Sequence, residues 1–208
     1  MIRRNEYKFP FSSWKEAEVR DFVSSQNMKQ KYEMRMINSI YLDTKNFEGH
    51  LLGEEGIVPR DKFRLRWYGS NSFKIDQSVL EIKSAFFSHR EKKSIKYNEI
   101  DSCSENNSFN KIKNQIIKKT LIPTVKVSYK RFYYENSDGI RATIDYGINY
   151  QKCVFLNNFK PLYLNAKYDQ LNVLELKGDS VPATRIIMNS KINWTRFSKY
   201  SRAILNLY

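Results

Sequence analysis

The stretch RDKFRLRWYG, residues 60–69, sets Arg60, Lys62, Arg64 and Arg66 on every second position, with Phe63, Leu65 and Trp67 between them. Alternation of period two puts the cations on one side of a β-strand and the apolar residues on the other. A water-facing sheet surface would explain such a strand. So would a face turned toward a polyanion.

The same pattern returns along the chain. In 3–9, Arg4, Glu6 and Lys8 share one face, opposite Tyr7 and Phe9. Glu81 and Lys83 oppose Leu80 and Ile82; Arg90, Lys92, Ser94 and Lys96 oppose Ile95 and Tyr97. Tyr129 and Arg131 share a face, Arg141, Thr143 and Asp145 oppose Ile140, Ala142, Ile144 and Tyr146, and Glu175 and Lys177 oppose Leu174 and Leu176. Solvated strand faces usually mix Thr, Ser, Gln and Lys; these are built from Arg and Lys with a few carboxylates between them. Two like charges about 6 Å apart repel by roughly 3 kcal/mol at an effective dielectric of about 20. Half a dozen cations on one concave surface therefore ask for a resident anion, and guanidinium forks match phosphate oxygens. Interspersed carboxylates suit a hard divalent ion bridging those oxygens.

The bulk numbers agree. The chain has 208 residues and a net charge of +14, from 36 Lys and Arg against 22 Asp and Glu. That excess points to nucleic acid, an anionic membrane surface or phosphate-rich molecules. Hydrophobic residues make up 41%, enough for a core in a single domain spanning 1–208, and 14 Tyr with 13 Phe favour strands. Two histidines are too few for a histidine metal site, and Cys103 and Cys153 lack metal-ligand spacing. The start lacks the apolar run of a signal peptide, and no stretch is apolar enough to span a bilayer. A cytoplasmic protein is the expectation, with any membrane partner a separate polypeptide.

Strands are predicted at 3–9, 38–43, 61–68, 78–84, 91–97, 124–134, 140–146, 161–168 and 171–177. Ser12 or Ser13 caps a helix running to about 26, with Trp14, Ala17, Phe22 and Val23 inward. Residues 101–108 read as a loop and 109–121 as a helix, and the tail after Pro182 as helical pieces around RIIMNS and KYSRAILNL. Turns fall at GSNS and NSDG. The class is α+β: roughly eight strands, closed into an eight-stranded antiparallel β-barrel tunnel with a polar interior and helices packed outside. Closure removes the unpaired edges of such a sheet.

Several of these segments, in order, resemble the VTC domain, the polyphosphate polymerase branch of the triphosphate tunnel metalloenzymes and a relative of the CYTH phosphatases. They are RxExK at Arg4–Lys8, SIYLDT at 39–44, RLRWYG at 64–69, LEIK at 80–83, YKR at 129–131, RATID at 141–145, LELK at 174–177 and FSKY at 197–200. The resemblance implies transfer of the γ-phosphoryl group of ATP to a growing polyphosphate chain, with Mn²⁺ or Mg²⁺. It implies phosphate contacts from Lys8, Arg64, Arg66, Lys83, Lys96, Arg131, Arg141 and Lys199, supported by Tyr129 and Ser198. Arg4, Lys93 and Lys177 join the substrate-binding set. Glu175 matches the metal-binding glutamate, with Glu6 as a second carboxylate. Arg4 stands where the CYTH signature has its first acid, which favours the VTC branch.

A phosphate at the chain end is already a nucleophile, so alignment and charge neutralisation suffice. Two other readings stand beside polymerisation. A tunnel-type phosphatase acting on inorganic or organic triphosphates would need a carboxylate to place water, from Glu6, Glu81 or Asp145; for Glu81 and Asp145 a salt-bridge role competes. A non-catalytic polyphosphate binder needs neither. Nucleic acid is the weakest reading, because most aromatics alternate away from the cations; Tyr68, Tyr129 and Tyr133 are exceptions.

Overall fold

The computed structural model describes residues 4–69, 72–96, 114, 120–156, 160–190 and 192–208. The loop expected over 101–108 and nearly all of the helix expected over 109–121 lie outside them. Nine strands are present: β1 (Arg4–Phe11), β2 (Lys29–Asp43), β3 (Arg60–Tyr68), β4 (Val79–Ala85), β5 (Arg90–Lys96), β6 (Ile122–Glu135), β7 (Arg141–Phe155), β8 (Pro161–Tyr168) and β9 (Asn172–Asp179). Four α-helices are bounded within the described residues: α1 (Glu16–Ser25), α2 (Glu48–Glu55), α3 (Ser180–Asn189) and α4 (Lys199–Leu207).

The strand order is β1-β9-β7-β6-β2-β3-β4-β5, with β8 on β7, and the registers described are antiparallel. This corrects the expected closed eight-stranded barrel. Among the described residues there are nine strands, and the pairing path ends on β1 and β5 without joining them. Both ends carry devices that discourage further pairing. Pro10 removes a donor from β1, and β5 is studded with exposed Arg90, Lys92, Lys93 and Lys96.

The chain divides into two compact units, and β2, β6 and β7 contribute residues to both. The first comprises Met1–Met36, Tyr129–Asn149 and Tyr168–Ser198. Its core gathers Phe9 and Phe11 of β1, Val19 and Val23 of α1, Ile140, Ala142 and Ile144, and Leu174 and Leu176 of β9. Phe9, Ile140, Ala142, Ile144, Leu174 and Leu176 lie on the side that alternation read as apolar. Helix α1 departs from expectation: Trp14 is 78% exposed, and Ala17 is exposed as well. Residues Ser13–Lys15 form a 3-10 turn before α1 begins, so the inward stripe falls on Val19, Phe22 and Val23.

The second unit comprises Ile37–Ser128, Tyr150–Lys167 and Lys199–Tyr208. Ile40 and Leu42, Leu65 and Trp67, Leu80 and Ile95 line up across β2, β3, β4 and β5, and Leu121 and Cys153 join their core. Residues 60–69 thus take the predicted parity, with Leu65 and Trp67 buried. Helix α4 buries Tyr200, Ala203, Ile204 and Leu207, the i, i+3, i+4, i+7 stripe of an amphipathic helix.

Candidate phosphate-binding surface

In the second unit, register decides which charged residues meet. Lys62 of β3 lies opposite Lys83 of β4, and Lys83 opposite Lys92 of β5, a row of three lysines across three strands. The next row runs Tyr41, Arg64, Glu81, Ser94, and the one beyond it Ser39, Arg66, Val79, Lys96. Directly opposed like charges destabilise a sheet. Across these three rows six cations share a strand face with one carboxylate, Glu81.

Glu81 is the hub of that face. Its Oε2 accepts from Arg64 Nε at 2.6 Å and lies 2.5 Å from Nη2; Arg66 Nη1 is 3.5 Å away, and Lys92 Nζ sits 2.5 Å from Oε1. Burial alone would raise its pKa, but Arg64, Arg66 and Lys92 outweigh it and hold the carboxyl at about 2. Arg64 also donates to the Tyr41 hydroxyl at 3.2 Å, and Arg66 Nε to Ser39 Oγ at 3.1 Å. Burial would push the Tyr41 phenol up; Arg64, Arg66 and Lys83 instead bring it down to about 8. A phenol loses its proton that readily only in a strongly positive field.

Asp43, at the end of β2, is a residue whose role the sequence reading missed. Its buried carboxylate accepts from the backbone N–H groups of Thr44, Gly49 and His50 and from the Tyr200 hydroxyl at 2.5 Å. It thereby ties α2 and α4 to β2. Gly49 lets that carboxylate approach closely, since a Cβ there would come 3.1 Å from the Asp43 oxygen. The signal available beforehand was an aspartate closing an apolar strand just before NFEGH, a helix-start cue.

The first unit carries a second cluster. In register, Glu6 opposes Lys177 and Lys177 opposes Arg141, while Lys8 opposes Glu175 and Glu175 opposes Thr143. Lys8 Nζ lies 3.0 Å from Glu6 Oε1 and donates to the Phe197 carbonyl at 3.1 Å. Lys177 Nζ lies 2.5 Å from Glu175 and 3.4 Å from Glu6. Burial works against the charged Lys177, but Glu175 and Glu6 prevail and raise its pKa. Arg131 grips fully buried Asp145 with two bonds, Nε to Oδ1 at 2.5 Å and Nη2 to Oδ2 at 2.6 Å. Burial opposes that charge too, yet Asp145 leaves Arg131 well above its ordinary range. The Arg131 guanidinium is 5.3 Å from the buried Tyr129 ring.

Glu81 and Asp145 are therefore salt-bridge partners of arginine. The register also separates Lys93 from its neighbours: it opposes Ile82, on the face away from Lys92 and Lys96. Arg4 begins β1 opposite Asp179. Ser198 precedes α4 and Lys199 opens it, both half-buried. Tyr68 is 51% exposed.

For a metal, Glu6 and Glu175 are the fitting pair. Both present oxygen to one positive charge, Lys177 Nζ, and both are the hard donors that Mg²⁺ or Mn²⁺ takes when phosphate oxygens complete its shell. Among the described residues no three His, Cys, Asp or Glu gather at one point. No helix among them is long and apolar enough to cross a membrane.

Comparison with known proteins places this geometry. No curated protein sequence matches the chain. Among solved structures it is similar to the PH1819 protein of Pyrococcus horikoshii OT3, at 11% identity and a TM-score of 0.55, over 98% of this chain and 99% of that one. It is similar to HpAC1 of Hippeastrum, a proposed adenylyl cyclase with a dominant triphosphatase activity, at 13% identity and a TM-score of 0.55, over 99% and 96%. A proposed adenylate cyclase of Vibrio parahaemolyticus matches at 12% identity and a TM-score of 0.52, over 97% of each chain. The model of the VTC domain family matches residues 3–208. The chain belongs to the VTC domain family.

Proposed function

We propose that this protein is a polyphosphate polymerase, transferring the γ-phosphoryl group of ATP to the end of a polyphosphate chain. The observation that carries the reading is the cation-rich face of β3, β4 and β5. Lys62, Lys83 and Lys92 oppose one another across strands, with Arg64 and Arg66 in the adjoining rows. Such a face costs free energy when empty and gains it back when phosphates lie along it.

The residues divide the work. Arg64 and Arg66, oriented by Tyr41, Ser39 and Glu81, offer guanidinium forks to phosphoryl oxygens; Lys83 and Lys96 add point charge. In the first unit Lys8, Arg141 and Arg131 do the same, with Arg131 pre-aimed by Asp145 and Tyr129 packed beside it. Ser198, Arg4 and Lys177 are assigned to phosphate binding within the first unit, and Lys199 within the second. Catalysis then consists of lining up donor and acceptor phosphates and neutralising charge on the transferring group. Glu175 and Glu6 would hold a divalent ion, which would supply charge neutralisation to the phosphates. No side-chain nucleophile is required, since the acceptor is itself a phosphate oxygen.

Hydrolysis is the second reading, favoured by one observation: a neighbour of similar fold has a dominant triphosphatase activity. Against it, Glu81 and Asp145 are engaged by arginines rather than open to water. Incubation with ATP and Mn²⁺, with and without a short polyphosphate primer, separates the two. Long chains resolved on a gel are expected. Orthophosphate alone from triphosphates would replace the polymerase with a phosphatase, and tight polyphosphate binding without turnover would leave a binding module.

A further inference from the structure

Within the first unit, the face of β6 that carries Tyr129 and Arg131 continues to Tyr133. Tyr133 meets Tyr32 of β2 edge to face, with ring centroids 5.8 Å apart and planes at 84°. The Arg35 guanidinium lies over both rings, 5.5 Å from Tyr32 and 5.9 Å from Tyr133, and Lys31 Nζ is 5.8 Å from Tyr32. Lys31 is in turn anchored by Glu135. These side chains belong to neither hydrophobic core. Tyr32 is 49% exposed, and every residue from Lys29 to Arg35 is exposed.

A surface of this kind is a poor use of aromatic area unless something flat lies against it. Two phenol rings and a planar guanidinium give a stacking platform that accepts any base, and nearby cations favour a ligand that is anionic beyond its base. The spacing suits such a ligand. Tyr133 stands two residues from Arg131 on the same face, roughly 6.6 Å at ~3.3 Å per residue, a separation that a ribose can bridge.

We propose that Tyr32, Arg35 and Tyr133 form the base-binding platform of a nucleoside triphosphate whose phosphates run toward Arg131. This rests on the phosphate-binding reading above and deepens it: the donor is a nucleotide rather than an inorganic triphosphate, and a stacking surface selects it. Stacking tolerates every base, so the platform favours nucleotides as a class without choosing among them.

Calorimetric titration with ATP and with inorganic triphosphate tests it, on the unaltered protein, on Tyr32→Ala with Tyr133→Ala, and on Tyr32→Phe with Tyr133→Phe. The alanine pair weakens ATP binding by about 5- to 100-fold; inorganic triphosphate binding is unchanged, which also shows that the fold is intact. The phenylalanine pair keeps the rings and restores ATP. If the alanine pair does not fold, the single exposed change Tyr32→Ala carries the same expectation. ATP binding indifferent to the alanine changes, equal losses for both ligands, or no rescue by phenylalanine would each overturn the platform. Unaltered protein that bound neither ligand would instead overturn the phosphate reading on which it stands.

Discussion

Replacing Glu81 by Gln removes one negative charge from the face of β3, β4 and β5 while keeping the side chain's shape. Its three partners are not equal. The Lys92 side chain is 49% exposed, so solvent screening leaves that pair at about 1 kcal/mol or less. Arg64 and Arg66 are 13% and 8% exposed at the side chain. A pair about 4 Å apart is worth roughly 4 kcal/mol gross at an effective dielectric of about 20. Breaking a buried pair by removing one member typically costs about 3–5 kcal/mol. The expected loss is therefore ~3–5 kcal/mol in buffer free of phosphate, a drop of about 1–2 M in the urea midpoint. The second half of the prediction has the opposite sign. Glu81 competes with a bound anion for Arg64, Arg66 and Lys92, so the variant binds inorganic triphosphate about tenfold more tightly, or ~1.4 kcal/mol, and saturating triphosphate restores much of the lost stability. Urea unfolding with and without triphosphate, together with calorimetry, reads both. An unchanged midpoint without anion, or triphosphate affinity equal to or below that of the unaltered protein, would refute the claim that Glu81 stands in for a ligand.

Two further outcomes follow from the same geometry. Glu175→Gln abolishes turnover of ATP with Mn²⁺ while polyphosphate is still retained in a filter-binding assay; undiminished turnover would remove Glu175 from the metal site. Tyr41, with a folded-state value of about 8 against the ordinary 10, keeps its proton longer in the unfolded chain than in the fold. Stability from this group therefore rises between pH 8 and 10. Ultraviolet difference absorbance is expected to show tyrosinate forming near pH 8, and triphosphate is expected to shift that transition upward by neutralising Arg64 and Arg66. A transition indifferent to triphosphate would place the anion elsewhere.

The charged faces were legible in the sequence because alternation is a local property. Residues 60–68, 79–85 and 172–179 fold with the parity read from them, and the row-by-row neighbours of Arg64 and Glu175 follow once those strands pair. What was missed is either uniform or non-local. The first half of β2, KQKYEMR, is exposed throughout, so no buried face impresses a period on it and the strand was placed only from residue 38. Helix α2, EGHLLGEE, holds two glycines and few strong helix formers in its first turn; it is fixed by Asp43, which accepts three of its surrounding N–H groups. The open sheet was beyond reach for a different reason. Closure depends on whether two strands more than eighty residues apart meet, although Pro10 and the lysines of β5 marked both as edges in plain view. Lys93, placed in the substrate-binding set, opposes Ile82 on the strand face away from Lys92 and Lys96.

The bond from Tyr200 to Asp43 also sets a clock. It joins positions 157 residues apart, and the helix that carries Tyr200 seals the core of the second unit beside α2. During synthesis, β2, β3, β4 and β5 can pair as soon as they emerge, since each neighbours the next in sequence. The Asp43 carboxylate, however, lacks its hydroxyl partner until residue 200 has left the ribosome. At a translation rate of about 5–20 residues per second that interval lasts on the order of ten seconds. Throughout it, the lysine row already stands assembled on a half-built unit, its like charges opposed across three strands.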